Sequence, residues 1–185
     1  MRDEHVHRPA RPRARGDVAA LRRAGQRRAG RPERGAAIVE FALVVPIFML
    51  LVMGTIDFGA TFNDYNSVRQ GVREGARQAV VADWDLDSCT GSSSERVACV
   101  TRSRIGLDAA RTRVRVQLEG EYQPGEQLTV CAMYQAGSIT GMFSVLLDGR
   151  SLNSRITMRI ESIDDVDPLT DYSQPALAGQ DWSWC

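Results

Sequence analysis

An apolar run of 21 residues, AAIVEFALVVPIFMLLVMGTI, occupies residues 36–56 and contains one ionisable side chain, Glu40. At about 1.5 Å per residue, a helix of this length crosses the hydrocarbon core of a bilayer. A buried core helix is the alternative, but a run that is apolar on every face and follows Arg-rich sequence is more typical of a membrane segment. A secretory signal peptide fits poorly, because its apolar region is normally about 7 to 15 residues long and ends at a small-residue cleavage site. The sequence therefore predicts a transmembrane helix over residues 36–56.

The charges are sorted about this run. The chain has no Lys, and eleven Arg and four acids precede Gly35, whereas twelve Arg and nineteen acids follow it. By the positive-inside rule, residues 1–35 form a cytoplasmic leader, which we expect to be disordered, and the residues after the span lie outside the cytoplasm. This predicts a single-pass protein of the cytoplasmic (inner) membrane, with the lipid bilayer as a partner. Nucleic-acid binding is disfavoured, because the outside domain is acidic and the basic leader precedes a membrane span.

Catalytic and metal-binding chemistry has little support in the sequence. The only histidines, His5 and His7, lie in the leader, so the folded part has no imidazole for a catalytic triad or a zinc site. We find no motif for a reactive carboxylate pair or thiol. The sequence therefore predicts a protein that is not an enzyme and that has no catalytic residues, no metal and no cofactor. The alternative, an envelope hydrolase or oxidoreductase, would need a reactive carboxylate pair or a reactive thiol.

The four cysteines all follow the span, and none forms a CxxC pair. An even number of cysteines outside the cytoplasm predicts disulfides. A bridge from Cys89 to Cys99 would close the acidic loop over residues 83–87, and a bridge from Cys131 to Cys185 would dock the terminal WSWC, but three pairings remain open.

Periodicity beyond the span predicts an α+β fold. Apolar residues spaced three or four apart between Phe58 and Ala79 continue the helix as an amphipathic stalk to about Val81. A short helix over residues 95–107 and alternating strands over 113–118, 128–134 and 155–161, the first two joined at Pro124–Gly125, predict a small antiparallel sheet under the stalk. The stalk and head span residues 57–163, and residues 164–185 form an acidic tail, expected to be flexible to Gln180.

Several positions in the long helix favour close packing. Gly71, Gly75 and Ala79 are four apart and permit the approach of another backbone, either in an assembly or in the chain's own sheet. Pro46 frees the carbonyl of Ala42 and predicts a mild kink, which is tolerated in a helix that packs against others but is also common as a harmless feature.

Glu40 needs compensation, because a charge within the bilayer costs on the order of 2 to 3 kcal/mol. If the chain were cut after Gly35, the new ammonium of Ala36 would stand one helical turn from the Glu40 carboxylate and could pair with it, in the same chain or between chains. In the alternative, an uncut anchor, Glu40 reaches the cytoplasmic interface or pairs with Arg34.

Three segments resemble a known family: Gly35–Pro46, with Glu and an aromatic residue at mature positions five and six, Gly54–Gly59, and Arg73–Arg77. The first resembles the class III cleavage site of type IV pilins and pseudopilins, and together they resemble the TadE-like proteins of the tight-adherence (Flp-type) pilus. The resemblance covers about residues 35–80. The chain departs from the usual pattern in its long leader and in Phe41, where tight-adherence pilins usually have Tyr.

The resemblance implies a non-catalytic minor pilin or pseudopilin that takes part in pilus assembly and is placed in the membrane or in a surface filament. It implies cleavage by a prepilin peptidase between Gly35 and Ala36, an assembly role for Glu40 and Phe41, and other pilins and the assembly machinery as partners. The alternative is a membrane-tethered binding or structural module that never enters a filament.

Overall fold

The computed structural model describes residues 32–83, 88–163 and 167–185, and side chains from residue 35 onward. The predicted leader up to residue 31 and residues 84–87 of the acidic loop lie outside the described part. The chain divides into two units, Met1–Met49 and Leu50–Cys185.

The first unit contributes the beginning of one long helix, α1, which extends over Pro32–Val80. Proline suits the first position of a helix, because its missing N–H would have no partner there and its φ angle is already helical. Pro46 lies inside α1. The prediction that one helix continues from the apolar run into the stalk is confirmed, and its end at Val80 lies one residue from the predicted end.

The second unit begins its own secondary structure with α2, Ser93–Ile105. Ser92 and Glu95 form a capping box, in which each side chain bonds the other residue's backbone N–H, and Gly106 ends the helix at a positive φ of 68°. A 3₁₀ turn over Ala109–Arg111 leads to the first strand. The predicted short helix is thus confirmed, about two residues earlier in the chain.

Four strands form one antiparallel sheet in the order β3-β2-β1-β4. They are β1 (Thr112–Glu119), β2 (Gln127–Gln135), β3 (Ser151–Arg159) and β4 (Tyr172–Ser173), and a short helix, α3 (Ser144–Leu147), precedes β3. In the predicted hairpin Val116 pairs with Val130, and β2 then pairs with β3 from Gln127 opposite Arg159 to Gln135 opposite Ser151. The α+β fold class is confirmed.

The core lies where α1 and α2 cover one face of the sheet. The stalk contributes Val68, Val72 and Ala76, and the sheet contributes alternate residues such as Val116 and Val130, all of them fully buried. Alternation in the strands and three-to-four spacing in the helix place these side chains on one side of each element.

The C-terminal segment is held first along the β1 edge of the sheet and then, at Cys185, over the opposite face, which corrects the prediction of a flexible tail. In β4, Tyr172 pairs with Val116, and Leu169 belongs to the core. Ser94 Oγ donates to the Thr170 carbonyl at 2.6 Å and accepts from its N–H at 2.9 Å. Because the segment is held along its length, it acts as part of the head. Residues 164–166 lie outside the description.

Burial of β2 on both faces follows from this arrangement. Thr129, Cys131 and Met133 alternate with the residues that face the helices and so lie on the other face of β2, where Cys131 and Met133 are fully buried. The end of the chain lies over this face: Arg155 donates to the Cys185 carbonyl, and Ser151 donates to Gln180.

Two disulfides are present, and the described residues contain no free cysteine. One joins Cys89 to Cys99, across the end of the acidic loop and α2, and the other joins Cys131 in β2 to the terminal Cys185. The predicted presence of disulfides is confirmed, and the second bridge attaches the end of the chain to the centre of the sheet.

Candidate functional site: the two surfaces of α1

The first unit of α1 has the surface of a membrane segment. Its large apolar side chains are exposed on every side, with Ile38, Phe41, Leu43 and Ile47 at 66–70%. The most apolar 18-residue window of the helix has a mean hydropathy of 2.6, and none of it is buried. This excludes the alternative of a buried core helix. Among the described residues, one helix is long and apolar enough to cross a membrane, which indicates that α1 is a single-pass membrane anchor.

The residues predicted for processing and assembly all lie in this exposed unit. Gly35 and Ala36 are within the first turns of α1, and no atom comes within 4 Å of where a Cβ on Gly35 would be. Glu40 and Phe41 are exposed, as is Pro46. The side chain of Arg34, the alternative partner of Glu40, lies outside the described residues. These groups are therefore available to other molecules, and their roles in cleavage and assembly stay predictions.

The stripe of small residues on α1 faces the chain's own α2. A Cβ on Gly71 would lie 2.5 Å from the backbone nitrogen of Ile105, and a Cβ on Gly75 would lie 2.8 Å from the Cβ of Thr101. Ala79 is fully buried. The backbone that lies close to Gly71 and Gly75 is that of α2 in the same chain, whereas the spacing had suggested an assembly or the chain's own sheet. Two helices of one head meet here, because glycine leaves room for α2.

Replacing Gly71 by Ala should therefore destabilise the head by about 1–3 kcal/mol, because backbone atoms of α2 must move to admit the methyl group. The matched control is Gly59→Ala on the same helix, where nothing lies within 4 Å. At position 59 the substitution replaces a poor helix former by a good one, so the free energy of unfolding should rise by up to about 1 kcal/mol. Thermal unfolding of the full chain in detergent measures both. A Gly71→Ala protein as stable as the Gly59→Ala protein would contradict the close packing.

The polar cluster at the start of the second unit is built on Asp57, which directly follows the apolar run. Its carboxylate is fully buried and accepts four hydrogen bonds from one turn of the β2–α3 connection. Ser138 Oγ and Thr140 Oγ1 donate to Oδ2 at 2.6 and 2.7 Å, and the N–H groups of Ile139 and Thr140 donate to Oδ1 at 2.9 Å each. We call this cluster the Asp57 clasp.

The clasp keeps Asp57 ionised. Burial of the carboxyl raises its pKa, but the hydrogen bonds from Ser138, Thr140 and Ile139 lower it by more, and the resulting pKa is about 2, against an ordinary value of 3.8. Because the folded pKa is depressed, the stabilisation that the clasp contributes is complete above about pH 4 and is lost as the pH falls through 2. The clasp is therefore intact throughout the physiological range.

Replacing Asp57 by Asn should release the connection. The amide offers one acceptor oxygen to four donors, and its own NH₂ group faces donors, so buried polar groups lose their partners. Hydrogen exchange at the amides of Ile139 and Thr140 should accelerate on the order of tenfold to hundredfold. The control is Glu119→Gln, at an exposed acid at the end of β1, which should leave these amides unchanged. Equal exchange in the two variants would contradict the role of Asp57.

The sequence analysis does not predict the clasp. The donors to Asp57 lie about 80 residues further along the chain, and no spacing rule links an acid to a turn so far away. One feature of the sequence could have indicated it: the hydroxyl groups of the Ser138–Gly141 segment are hydrogen-bond donors, and buried donors need an acceptor. Among the described residues, no group of three or more His, Cys, Asp or Glu is placed to hold a metal ion.

Comparison with known proteins gives one match. Residues 35–77 match the family model described as TadE-like protein. No curated protein and no solved structure matches the chain. The match begins at Gly35, covers the exposed apolar helix and the first residues packed against α2, and ends three residues before α1 does. Residues 35–77 of this chain are therefore a TadE-like region.

Proposed function

We propose that this chain is a non-catalytic minor pilin or pseudopilin that takes part in assembling a tight-adherence pilus. The observation that carries the proposal is the start of the TadE-like match at Gly35, the residue before the predicted cut. TadE-like proteins are pilus components, so the TadE-like region supports a pilus-related function for this chain. The specific role is our inference from the helix that the match covers.

Cleavage after Gly35 would create the charged group that Glu40 lacks. The new N-terminal ammonium of Ala36 would lie about 6 Å along the helix axis from Glu40. Pairing neutralises both groups in hydrocarbon, where each alone is costly. If the pair forms between neighbouring chains, it also sets their register. The exposed apolar faces of the first unit, with Phe41 and Pro46, are then free for lateral packing among pilin helices.

We place the N-terminus in the cytoplasm and the head outside it. The excess of Arg before the span supports this orientation. The two disulfides support it independently, because such bonds persist in oxidising compartments outside the cytoplasm. We accordingly propose residues 1–35 as a cytoplasmic leader, 36–56 as the span in the inner membrane and 57–185 as the outside part. Prepilin peptidase, other pilins and the assembly machinery are the proposed partners.

A tethered module that never enters a filament is the alternative, and its uncut anchor would keep the leader. N-terminal mass spectrometry of the protein extracted from host membranes separates the two functions. We expect the mature chain to begin at Ala36. A Gly35→Leu variant is the control, since it should retain the leader if the peptidase requires glycine before the cut. A native chain that retains residues before Ala36 would overturn the pilin proposal in favour of the tethered module.

A further inference from the structure

The connection between β2 and β3 carries a surface that the proposed function does not use. From Gly137 to Leu147 it contains no ionisable side chain. Large apolar side chains stand out from it into solvent, with Val145 exposed at 94% and Ile139 at 71%. Its other strongly exposed apolar residues are Met142 and Leu146. Large apolar side chains that are exposed this close together in the sequence are typical of an interaction site.

The position of this connection on α1 is set by three contacts. A Cβ on Gly54 would lie 3.3 Å from the ring of Phe143, and the rings of Phe143 and Phe58 have centroids 5.5 Å apart. Between these two contacts, Asp57 is held in the clasp. Gly54 is the third-last residue of the apolar run. The connection is therefore attached to α1 at the level where the run ends.

Several polar groups of the connection have hydrogen-bond partners within the chain. The hydroxyls of Ser138 and Thr140 and the N–H groups of Ile139 and Thr140 are bonded to Asp57, whose charge is fully buried. Asp148, which closes the segment, accepts from the Ser138 N–H at 3.0 Å. Such an arrangement lowers the cost of moving the surface out of water, since these donors already have partners.

We propose that residues 138–147 insert into the interface of the bilayer that α1 spans, on the side of the head. Continuity of apolar surface identifies lipid as the occupant: Phe143 lines an open apolar cleft together with Leu50, Leu51, Gly54, Thr55 and Phe58 on α1. Apolar groups at this level sit about 5–10 Å deep, at the boundary of headgroups and acyl chains. Insertion would fix the head against the membrane surface. The inference rests on the membrane anchoring of α1 and is independent of cleavage and pilus assembly.

Fluorescence quenching by lipids tests the inference on the full chain. Single cysteines, each carrying an environment-sensitive fluorophore, are placed at Val145, at Leu51 as a probe of the span, and at Ser103 in α2 as the exposed control. The protein is reconstituted at high dilution in phosphatidylcholine vesicles with or without phospholipids that carry a nitroxide on the acyl chain. Ser103 is a suitable control because α2 packs at Gly71, about 22 Å along α1 from the end of the apolar run.

We expect the nitroxide lipid to quench the Val145 fluorophore nearly as strongly as that at Leu51, and several-fold more than that at Ser103. Quenching at Leu51 without quenching at Val145 would overturn the inference and leave the proposed function untouched. A fluorophore at Val145 that is not quenched by the nitroxide lipid, and whose emission shows an apolar environment only at high protein density, would also overturn the inference. It would show that a second copy of the chain covers this surface. No quenching at Leu51 would overturn the anchoring on which the inference and the proposed function both rest.

Discussion

Replacing Glu40 by Gln is expected to leave insertion and cutting of the chain intact and to lower its incorporation into filaments at least about tenfold. The proposed pairing with the Ala36 ammonium neutralises a charge that costs on the order of 2 to 3 kcal/mol in the bilayer, and about 1.4 kcal/mol already corresponds to tenfold. The neutral amide inserts at lower cost but gives the ammonium no ionic partner. The amount of the protein in sheared filament fractions, relative to the amount in membranes, measures the effect.

The matched control is Glu74→Gln, which makes the same change from acid to amide further along α1. Glu74 is already engaged within its own chain: it accepts from Gln78 at 2.9 Å and lies 3.8 Å from Arg77. Exposed pairs of this kind contribute little, so filament incorporation should stay near the wild-type level. Equal incorporation of the Glu40→Gln and wild-type chains would exclude charge pairing as the mechanism of assembly, while a loss of membrane insertion would show that Glu40 acts at an earlier step.

Removing the bridge between Cys131 and Cys185 by a double substitution to Ala should destabilise the head by about 4 kcal/mol. The estimate follows from the chain entropy that a bridge across 54 residues removes from the unfolded state. The native state is affected too, because the bridge holds the terminal segment over the buried face of β2. Thermal unfolding in detergent measures the change in stability, and limited proteolysis after β4 measures release of the tail.

The bridge between Cys89 and Cys99 provides the comparison, since it closes a separation of only 10 residues. Its removal should cost about 3 kcal/mol by the same argument and should leave the tail protected from protease. Rapid cleavage of the tail after loss of the Cys89–Cys99 bridge, or continued protection after loss of the Cys131–Cys185 bridge, would contradict the assignment of the second bridge as the clamp of the tail.

The elements of this fold were largely predictable from local sequence. Alternation placed Val116 and Val130 on the inner face of a hairpin, and the structure pairs them directly. Three-to-four spacing continued α1 to within one residue of its end at Val80. These signals are local, because a helix or a strand buries one face and repeats its side-chain directions at a fixed period.

Partners that are distant in sequence were not predictable. The small side chains at Gly71 and Gly75 indicated close packing, but any backbone would satisfy them, and only the fold brings α2 there. The acidic composition after residue 163 favoured disorder, yet the segment is held by hydrogen bonds to Ser94 and by pairing with β1. Composition indicates only the average tendency of a segment to remain solvated. The position of the C-terminal segment is set by a few specific contacts with residues far away in the sequence.

By itself the sequence determined the long apolar helix, the unequal distribution of charges on its two sides, and the family resemblance of residues 35–77. Each of these depends only on composition and on residue order along one segment. Tertiary structure alone decided that Asp57 is bonded to a turn of the β2–α3 connection, that Cys185 lies over β2, and that exposed apolar side chains of this connection lie beside the end of the apolar run in α1. The reason is physical: a buried carboxylate, a strand face and an exposed apolar side chain each need a partner, and the identity of that partner is set by which distant segments the folded chain brings together.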